Sequence, residues 1–369
     1  MKTLIYIGGF ELPDKNAAAH RVINNAKILE KLGYNVIFID INREEKRSII
    51  QTKSECFGFT RYSMQYTNKR LININDFKKI CNIYIDELHA VVAYNYPGIA
   101  LYKMRKYCKK NKIKLYADCT EWYGFQGETI IKKIIKGIDS YIRMNLVQPK
   151  LDGVIAISKY LNDFYKDKVP TIYVPPLTDI SEKKWSMTKT SSNENVINVV
   201  YAGSPGRNKD NLNKIINSLE TIPFIVFKII GISKEEYLKN FPEDQIILKK
   251  IESKVFFLGR VSHEEVISLL KQSDFSMFYR DLTRVTIAGF PTKFSESITC
   301  GVPVITNKNS DLENFLHDGI NGFWLEEDIV GSLTKIMNTG VPELKKMKEK
   351  VKNDIFDYNN YISTFKEIF

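Results

Sequence analysis

The sequence predicts an α/β protein with two doubly wound, parallel-sheet domains in tandem. Short continuous apolar runs alternate with segments of helical periodicity along most of the 369 residues. This is the pattern of parallel strands that helices cover on both faces. A polar stretch after Pro175-Pro176 interrupts the alternation, which then starts again. A chain of this length is too long for one typical core and suits two domains.

The first series of elements predicts a first domain over residues 1–178. It opens with the strand Leu4–Ile7 and a Gly8-Gly9 turn. A helix follows over Ala17–Leu32, where apolar residues recur at helical spacing before Gly33. The later strands are predicted at Val36–Ile41, Ala90–Tyr94, Lys114–Ala117, Gly153–Ile157 and Thr171–Val174.

Residues 179–197 are predicted to be an interdomain linker, because they are rich in Ser, Thr, Asn and Lys and show no periodicity. A second domain is predicted over 198–352, and the apolar positions of 353–369 suggest a closing helix. The strands of the second domain are predicted at Asn198–Tyr201, Phe224–Ile230, Val255–Leu258, Phe275–Phe278 and Val302–Thr306.

The composition favours anionic partners and a reducing compartment. The formal net charge is +11, which favours nucleotides, phospholipid surfaces, lipid-linked phosphates or nucleic acid. Five scattered Cys without a CxxC pair indicate neither a disulfide framework nor a zinc site, which fits the cytoplasm. No apolar run approaches the ~18–20 residues of a membrane span, so any membrane contact is expected to be peripheral.

The stretch Gly289–Pro303 (GFPTKFSESITCGVP) predicts a clamp for a nucleotide diphosphate. Its turn leads into a short amphipathic helix, whose first N–H groups and dipole suit phosphate. Glu296, one turn further in, could contact the hydroxyls of a sugar or ribose. An ordinary helix cap with a surface Glu gives the same pattern. The candidate binding residues at the start of this helix are Phe290, Thr292 and Lys293.

The sequence YAGSPGRNKD, at Tyr201–Asp210, is a second candidate phosphate site. Its small residues, Ser204 among them, free the backbone, and Arg207 and Lys209 supply cations that stabilise charge on a leaving phosphate. A solvated turn with two surface cations fits equally well. The Gly8-Gly9 turn also lets a ligand approach the backbone, or is simply a tight turn, and neither site is a GxGxxG or Walker fingerprint.

Two further segments follow predicted strands. In Tyr116–Tyr123 the acids Asp118 and Glu121 could hold sugar hydroxyls, and Trp122 could stack on a sugar face; the alternative is a helix start with Asp118 or Thr120 as its cap. In Tyr279–Arg284 the two cations, one of them Arg284, either pair with Asp281 or face phosphate.

Basic residues cluster in the predicted first domain. Tyr102–Lys114 holds seven Lys or Arg, and Ile130–Lys150 mixes isoleucines at helical spacing with lysines. A basic amphipathic helix of this kind can lie on an anionic membrane. A core-packing helix with a solvated basic face has the same pattern.

Several common patterns are absent from the sequence. There is no HExxH, GxSxG or zinc-type Cys/His set, and no nucleic-acid-reading motif. No Asp-x-Asp pair occurs, so the usual acidic site for a divalent metal is missing and neither metal nor cofactor is expected.

Together the motifs resemble the family 4 glycosyltransferases of bacterial capsule, exopolysaccharide and lipopolysaccharide assembly, which have the GT-B fold. The resemblance covers essentially the whole chain. It implies two Rossmann-like doubly wound domains facing a cleft, with a C-terminal helix, here Phe356–Phe369, that crosses back to the first domain. The resemblance is carried by Gly8-Gly9, DGVIAISKYL at Asp152–Leu161, YAGSPGRNKD, FLGRVSHEEV at Phe257–Val266 and PTKFSESITCGVPVI at Pro291–Ile305.

The resemblance also implies residue roles in the second domain. Arg207 and Lys209 would hold the donor diphosphate. Arg260-Val261 would meet the nucleobase through its backbone, and Glu296, the second Glu of the family's E-x7-E motif, would bind the donor ribose.

The remaining implied roles concern the first domain and one departure. The Gly8-Gly9 turn would face the diphosphate, and Asp118 would lie near the transferred sugar or the acceptor. Ala288 stands where the first Glu of E-x7-E is expected. The usual task of that Glu near the donor sugar must therefore pass elsewhere or be lost.

The resemblance implies a cytoplasmic, retaining, metal-independent glycosyltransferase. Its donor would be a nucleotide diphosphate sugar, and its acceptor a hydroxyl group of a glycan or lipid-linked glycan, with peripheral contact to an anionic membrane and no nucleic acid as partner. The leaving phosphate would accept the acceptor's proton, so no dedicated base is needed. Two alternatives stay open: a nucleotide-sugar epimerase of the same fold, and a catalytically silent partner that Ala288 would explain.

Overall fold

A computed structural model describes residues 2–124, 129–186, 195–205 and 209–369, which divide into two units. The first unit contains Met1–Asp179, Ala288–Phe290 and Asp357–Phe369. The second contains Ile180–Ile287 and Pro291–Phe356. Each unit is built on its own sheet.

The sheet of the first unit has eight strands in the order β3-β4-β2-β1-β5-β6-β7-β8. Only the β3–β4 pair is antiparallel among these strands. Because the central strands are buried on both faces, their sequences are almost wholly apolar. The strands are β1 (Lys2–Gly8), β2 (Tyr34–Asn42), β3 (Ser54–Cys56), β4 (Phe59–Gln65), β5 (Leu88–Tyr94), β6 (Lys114–Cys119), β7 (Gly153–Ala156) and β8 (Thr171–Tyr173).

Helices connect the parallel strands of this unit. The first begins after Asn16, whose side chain accepts hydrogen bonds from the N–H groups of Ala18 and Ala19. A π-helical segment, Ile142–Val147, continues directly from the fourth helix. The helices are α1 (Ala17–Lys31), α2 (Asn75–Ile83), α3 (Gly98–Lys110), α4 (Ile130–Tyr141) and α5 (Lys159–Tyr165).

The sheet of the second unit has six parallel strands in the order β11-β10-β9-β12-β13-β14. They are β9 (Ile197–Ala202), β10 (Ile225–Ile230), β11 (Val255–Gly259), β12 (Phe275–Met277), β13 (Val304–Thr306) and β14 (Gly322–Trp324). The helices are α6 (Leu212–Ser218), α7 (Lys234–Asn240), α8 (Gln245–Lys250), α9 (His263–Gln272), α10 (Arg284–Ala288), α11 (Thr292–Thr299), α12 (Ile329–Met337) and α13 (Val341–Lys346).

The C-terminal residues complete the core of the first unit. A 3₁₀ turn, Tyr358–Tyr361, leads into the four-residue helix α14 (Ile362–Phe365), so the helical structure is shorter than the predicted Phe356–Phe369. The ring of Phe369 lies 4.3 Å from that of Tyr116, measured between centroids. The N–H of Tyr358 donates to the carbonyl of Thr178 at 2.9 Å.

The α/β class and every strand predicted from the sequence are confirmed, apart from small shifts at the strand ends. The sequence missed β3, β4 and β14. Both β4, with its polar residues, and the three-residue β14 lie at or next to a sheet edge, where the apolar run that marks a buried strand is not required. No helix in the described ranges is long and apolar enough to cross a bilayer.

Candidate functional site

Each sheet has a point where the strand order reverses. In the first unit β1 lies between β2 and β5, and in the second unit β9 lies between β10 and β12. Open parallel sheets bind ligands beyond the carboxyl ends of the strands at such points. The Gly8-Gly9 turn follows β1, and the YAGSPGRNKD segment follows β9. Two of the candidate sites of the sequence therefore lie where this topology favours a ligand.

In the first unit, the turn after β1 is held by packing and by a buried acid. A Cβ added to Gly8 would lie 2.7 Å from Cβ of Tyr94, so no larger residue fits there. Gly9 has open space around its Cα and is exposed. The backbone at Gly9 is therefore the part of the turn that a ligand can approach.

Asp40, at the end of β2, fixes this turn. Its carboxylate accepts hydrogen bonds from the N–H groups of Phe10, Glu11 and Leu12 at 3.1, 3.0 and 3.1 Å. Arg61 Nη2 lies 2.7 Å from Oδ2. Burial raises the pKa of Asp40 despite Arg61 and these donors, which lower it. Asp40 was not among the residues predicted from the sequence, although an acid at the end of the apolar run VIFID is a signal for it.

The structure corrects the role expected of Asp118. This side chain is fully buried, and its oxygens accept from Arg21 Nη2 at 2.8 Å and from the Tyr6 hydroxyl at 2.5 Å. Arg21, missed by the sequence analysis, also donates to the carbonyl of Val174 at 2.9 Å. A carboxylate enclosed in this way joins β6 to α1 and has no exposed surface with which to contact a sugar directly.

Glu121 and Trp122 remain at the end of β6 and are partly exposed. The Trp122 ring packs against Phe164, with 5.2 Å between centroids. The carbonyl of Glu121 accepts from Arg143 Nη2 at 3.4 Å. These contacts hold Glu121 and Trp122 in place while both stay partly exposed.

In the second unit, a cluster of buried charges lies at the ends of β9 and β12. Asp210 Oδ1 is 2.5 Å from Arg280 Nε, and its Oδ2 pairs with Lys293 Nζ. The Tyr201 hydroxyl donates to Asp210 Oδ2 at 2.6 Å. Two cations therefore share one carboxylate, and the cluster carries a net positive charge.

The charges of this cluster shift its pKa values. Burial and the neighbouring charge of Arg280 lower the pKa of Lys293 to about 8, although Asp210 raises it. Burial raises the pKa of Asp210, but Lys293 and Arg280 outweigh it and hold that pKa below its usual range. An anionic ligand beside Lys293 would favour its protonated form.

Two glycine-containing loops pack closely beside the cluster. A Cβ on Gly231 would lie 2.4 Å from the carbonyl oxygen of Gly203, so the two loops approach as closely as glycine allows. Gly203 itself faces Lys293, since its added Cβ would lie 3.5 Å from Lys293 Cε. Ser204 and Lys209 are exposed, and Arg207 lies outside the described residues.

Glu296 lies on α11, one turn after Lys293, and is partly buried. Its Oε1 is 3.5 Å from Nε2 of His263, the first residue of α9. Thr292 is the first residue of α11 and is partly exposed. The structure thus brings Thr292, Lys293 and Glu296 onto one helix beside the charge cluster.

The other predicted site residues of this part of the chain are not members of the Asp210 charge cluster in the described structure. Arg260 is largely exposed and pairs with Glu236 at 2.7 Å, while Val261 packs against an apolar cluster around α9. Arg284 is exposed at the start of α10, and Phe290 is buried.

Ala288, which replaces the expected Glu, has a fully buried methyl group. Its carbonyl accepts from the Ser158 hydroxyl at 2.7 Å. A longer acidic side chain at this position would have to displace its neighbours.

Comparison with known proteins matches one part of the chain to a family model. Residues 182–354 match the family model described as glycosyl transferases group 1. No curated protein shows significant sequence similarity to the chain.

Solved structures share the fold of the whole chain. Sucrose-phosphate synthase from Thermosynechococcus elongatus is 12% identical with a TM-score of 0.72, over 100% of this chain and 98% of that one. A glycosyltransferase from Rickettsia africae is 16% identical with a TM-score of 0.70, over 100% and 97%. Anabaena HepE in complex with UDP is 15% identical with a TM-score of 0.68, over 100% and 99%. The predicted GT-B fold, with two Rossmann-like units, is confirmed.

Proposed function

We propose that this chain, a GT-B-type member of glycosyl transferases group 1 through residues 182–354, transfers a sugar from a nucleotide diphosphate sugar to a hydroxyl group of a glycan. The observation that carries the proposal is the pairing of Lys293 and Arg280 around the single carboxylate of Asp210. These three groups together carry one excess positive charge, and Ser204 and Lys209, in the same segment as Asp210, are exposed, which suits a diphosphate.

The donor would be bound by the second unit. Lys293 and the exposed Lys209, with Arg207, would contact the diphosphate, and Ser204 and Thr292 would offer hydrogen bonds to it. Glu296 would accept hydrogen bonds from the ribose hydroxyls, and the backbone at Arg260-Val261 would meet the base. Anabaena HepE was solved with UDP and with UDP-glucose, so uridine donors are the first to test.

The proposed reaction retains the configuration of the sugar and needs no metal. The bond from the anomeric carbon to the leaving phosphate breaks, and a bond to the acceptor oxygen forms on the same face. The acceptor's proton passes to the departing phosphate oxygen. The side chains that favour this step are cations, which stabilise the charge on the phosphate, so the contribution of the protein is positioning and electrostatics.

The acceptor would be bound by the first unit and carried on a lipid. The partly exposed Glu121 and Trp122 would contact its sugar, and Gly9 would leave room for the diphosphate. The isoleucines of α4 are between 54% and 76% exposed, and lysines alternate with them. Such a helix supports peripheral contact with an anionic membrane on its cytoplasmic side.

A single assay tests this function. Purified protein is incubated with UDP-sugars and then with other nucleotide sugars. Each donor is tested with and without a lipid-linked glycan as acceptor. EDTA is present to remove divalent metal ions. We expect nucleotide to be released only when acceptor is present. We also expect the new linkage in the glycan to keep the anomeric configuration of the donor. Conversion of the donor sugar without acceptor would instead identify an epimerase, and a requirement for metal would contradict the proposed reaction.

A further inference from the structure

A cavity of about 820 Å³ on the first unit is lined by lysines and lies apart from the candidate site. It is formed by the segment before α2, the start of α2, and α3. The lining residues are Ile72, Asn73, Ile74, Asn75, Lys78, Lys103, Lys106, Tyr107, Lys110 and Asn111. Four of these ten carry a positive charge and none carries a negative one.

The cavity does not lie at the carboxyl ends of β1 and β6, where the candidate site of the first unit is. The helix α3 starts after β5 and leads back to the start of β6, so Lys110 and Asn111 lie towards the edge where the strands begin. The residues expected to contact the substrates follow the carboxyl ends of the strands. A ligand in this cavity would therefore not be the reacting donor or acceptor group.

The cavity lysines are not neutralised within the protein. In the ranges that the structure describes, none of Lys78, Lys103, Lys106 and Lys110 pairs with a carboxylate. The nearby acid Asp76 pairs with Lys79 at 2.9 Å. Lys106 instead lies over the Tyr102 ring, at 4.6 Å, and lowers the pKa of that phenol. Uncompensated charges around a concave surface attract anions.

One exposed apolar side chain lines the same cavity, and others are exposed on the segments that form it. Ile72 lines it and is half exposed, and Leu71, the residue before it, is also exposed. On α3, Ile99 and Tyr102 are exposed as well. Cations that line a cavity, together with exposed apolar side chains on the segments that form it, match a phosphate that is attached to an acyl chain better than a free phosphate ion.

We propose that this cavity binds the phosphate headgroup of an anionic phospholipid. The inference goes beyond the transfer reaction and rests on the proposed peripheral contact with a membrane. The lysines would hold the phosphate, while the isoleucines of α4 would enter the interface. Headgroup binding would then orient the first unit on the membrane, which apolar insertion alone does not do.

The test uses two variants of the full chain with equal charge. Lys103→Gln/Lys110→Gln removes two cavity lysines, and Lys109→Gln/Lys112→Gln removes two exposed lysines that do not line the cavity. Binding is measured by co-sedimentation with vesicles of phosphatidylcholine and phosphatidylglycerol. A lysine at an anionic surface contributes about fivefold to binding, so about 25-fold weaker binding is expected for the cavity variant and less than about fivefold for the other.

The proposal would be overturned if the two variants lost vesicle binding equally, or if the cavity variant lost none. It would also be overturned if the wild-type protein did not bind anionic vesicles. Inorganic phosphate at matched ionic strength identifies the source of the ligand. If it stabilises the wild type but not the cavity variant, while both bind vesicles equally, the site takes free phosphate and not lipid. Stabilisation by nucleotide sugars, measured in parallel, shows whether the donor site is intact, so failure of the cavity is distinguishable from failure of the proposed function.

Discussion

The carboxylate of Asp118 and the guanidinium of Arg21 form an ion pair at 2.8 Å in which neither side chain is more than 3% exposed. The two residues are 97 positions apart in the sequence. Their pairing joins α1 to β6 next to the turn that follows β1. The position of the candidate site in the first unit thus depends on a buried charge pair.

Replacing Asp118 by Leu is expected to destabilise the protein strongly. The change leaves the buried cation of Arg21 without its partner, which costs about 3–5 kcal/mol in the free energy of unfolding. Urea unfolding of Asp118→Leu and of the double variant Asp118→Leu/Arg21→Met measures this effect. The double variant should recover part of the loss, because no unpaired charge remains. A single variant as stable as the wild type would show that the pair is not formed.

Donor binding is expected to weaken as the pH rises through about 8, the pKa of Lys293. Below that pH the side chain is a cation that can contact a diphosphate, and above it the charge is lost. At one pH unit above the pKa only about a tenth of the lysine is protonated, so the affinity should fall by up to about tenfold. The measurement is the dissociation constant of the donor between pH 7 and pH 9.

The variant Lys293→Arg controls this pH dependence, because arginine stays charged throughout the range. The donor affinity of this variant should not depend on pH, whereas Lys239→Arg, a change at an exposed lysine of α7, should keep the wild-type pH dependence.

The free energy of unfolding should change with pH in the direction opposite to the donor affinity. Since the folded-state pKa of Lys293 is lowered, the unfolded chain binds more protons above about pH 8, and this group makes the folded state more stable as the pH rises. A wild-type affinity independent of pH would exclude contact between Lys293 and the diphosphate.

Glu296→Ala is expected to weaken donor binding by about tenfold to a hundredfold, the contribution of a hydrogen bond to a charged group. Its matched control is Glu264→Ala, which removes an exposed acid from α9. Thermal shift and calorimetry with the preferred nucleotide sugar measure the difference. Equal affinities of the Glu296 variant and the wild type would remove the ribose contact from the proposed site.

The double variant Ile134→Ser/Ile138→Ser is expected to fold normally and to bind anionic vesicles about tenfold more weakly. Both side chains are 56% exposed, so their loss leaves no cavity in the core, but it removes apolar area that a membrane would bury. Ile246→Ser/Ile320→Ser, two similarly exposed isoleucines of the second unit, is the control. If both variants bind vesicles like the wild type, α4 does not enter the membrane.

Much of the fold was predictable because its signals are local. A buried parallel strand needs a continuous apolar run, so β1 and β5 are evident in the sequence. Strands at or next to a sheet edge, such as β14 and β4, lack that requirement and were missed. The positions of candidate cations after the strands also follow from the sequence, since parallel strands all end at one edge of a sheet.

The sequence by itself determined the fold class, the strand order along the chain and the segments that carry the candidate site. Only the tertiary structure decided which charged residues are enclosed in pairs and which can meet a ligand. The sequence predicted Asp118 as a sugar contact, but in the structure it is paired with the buried Arg21. Lys293 pairs with Asp210, which is 83 positions away in the sequence. The physical reason is that the free energy of a charge depends on its burial and its partners, and these come from parts of the chain that no local pattern connects.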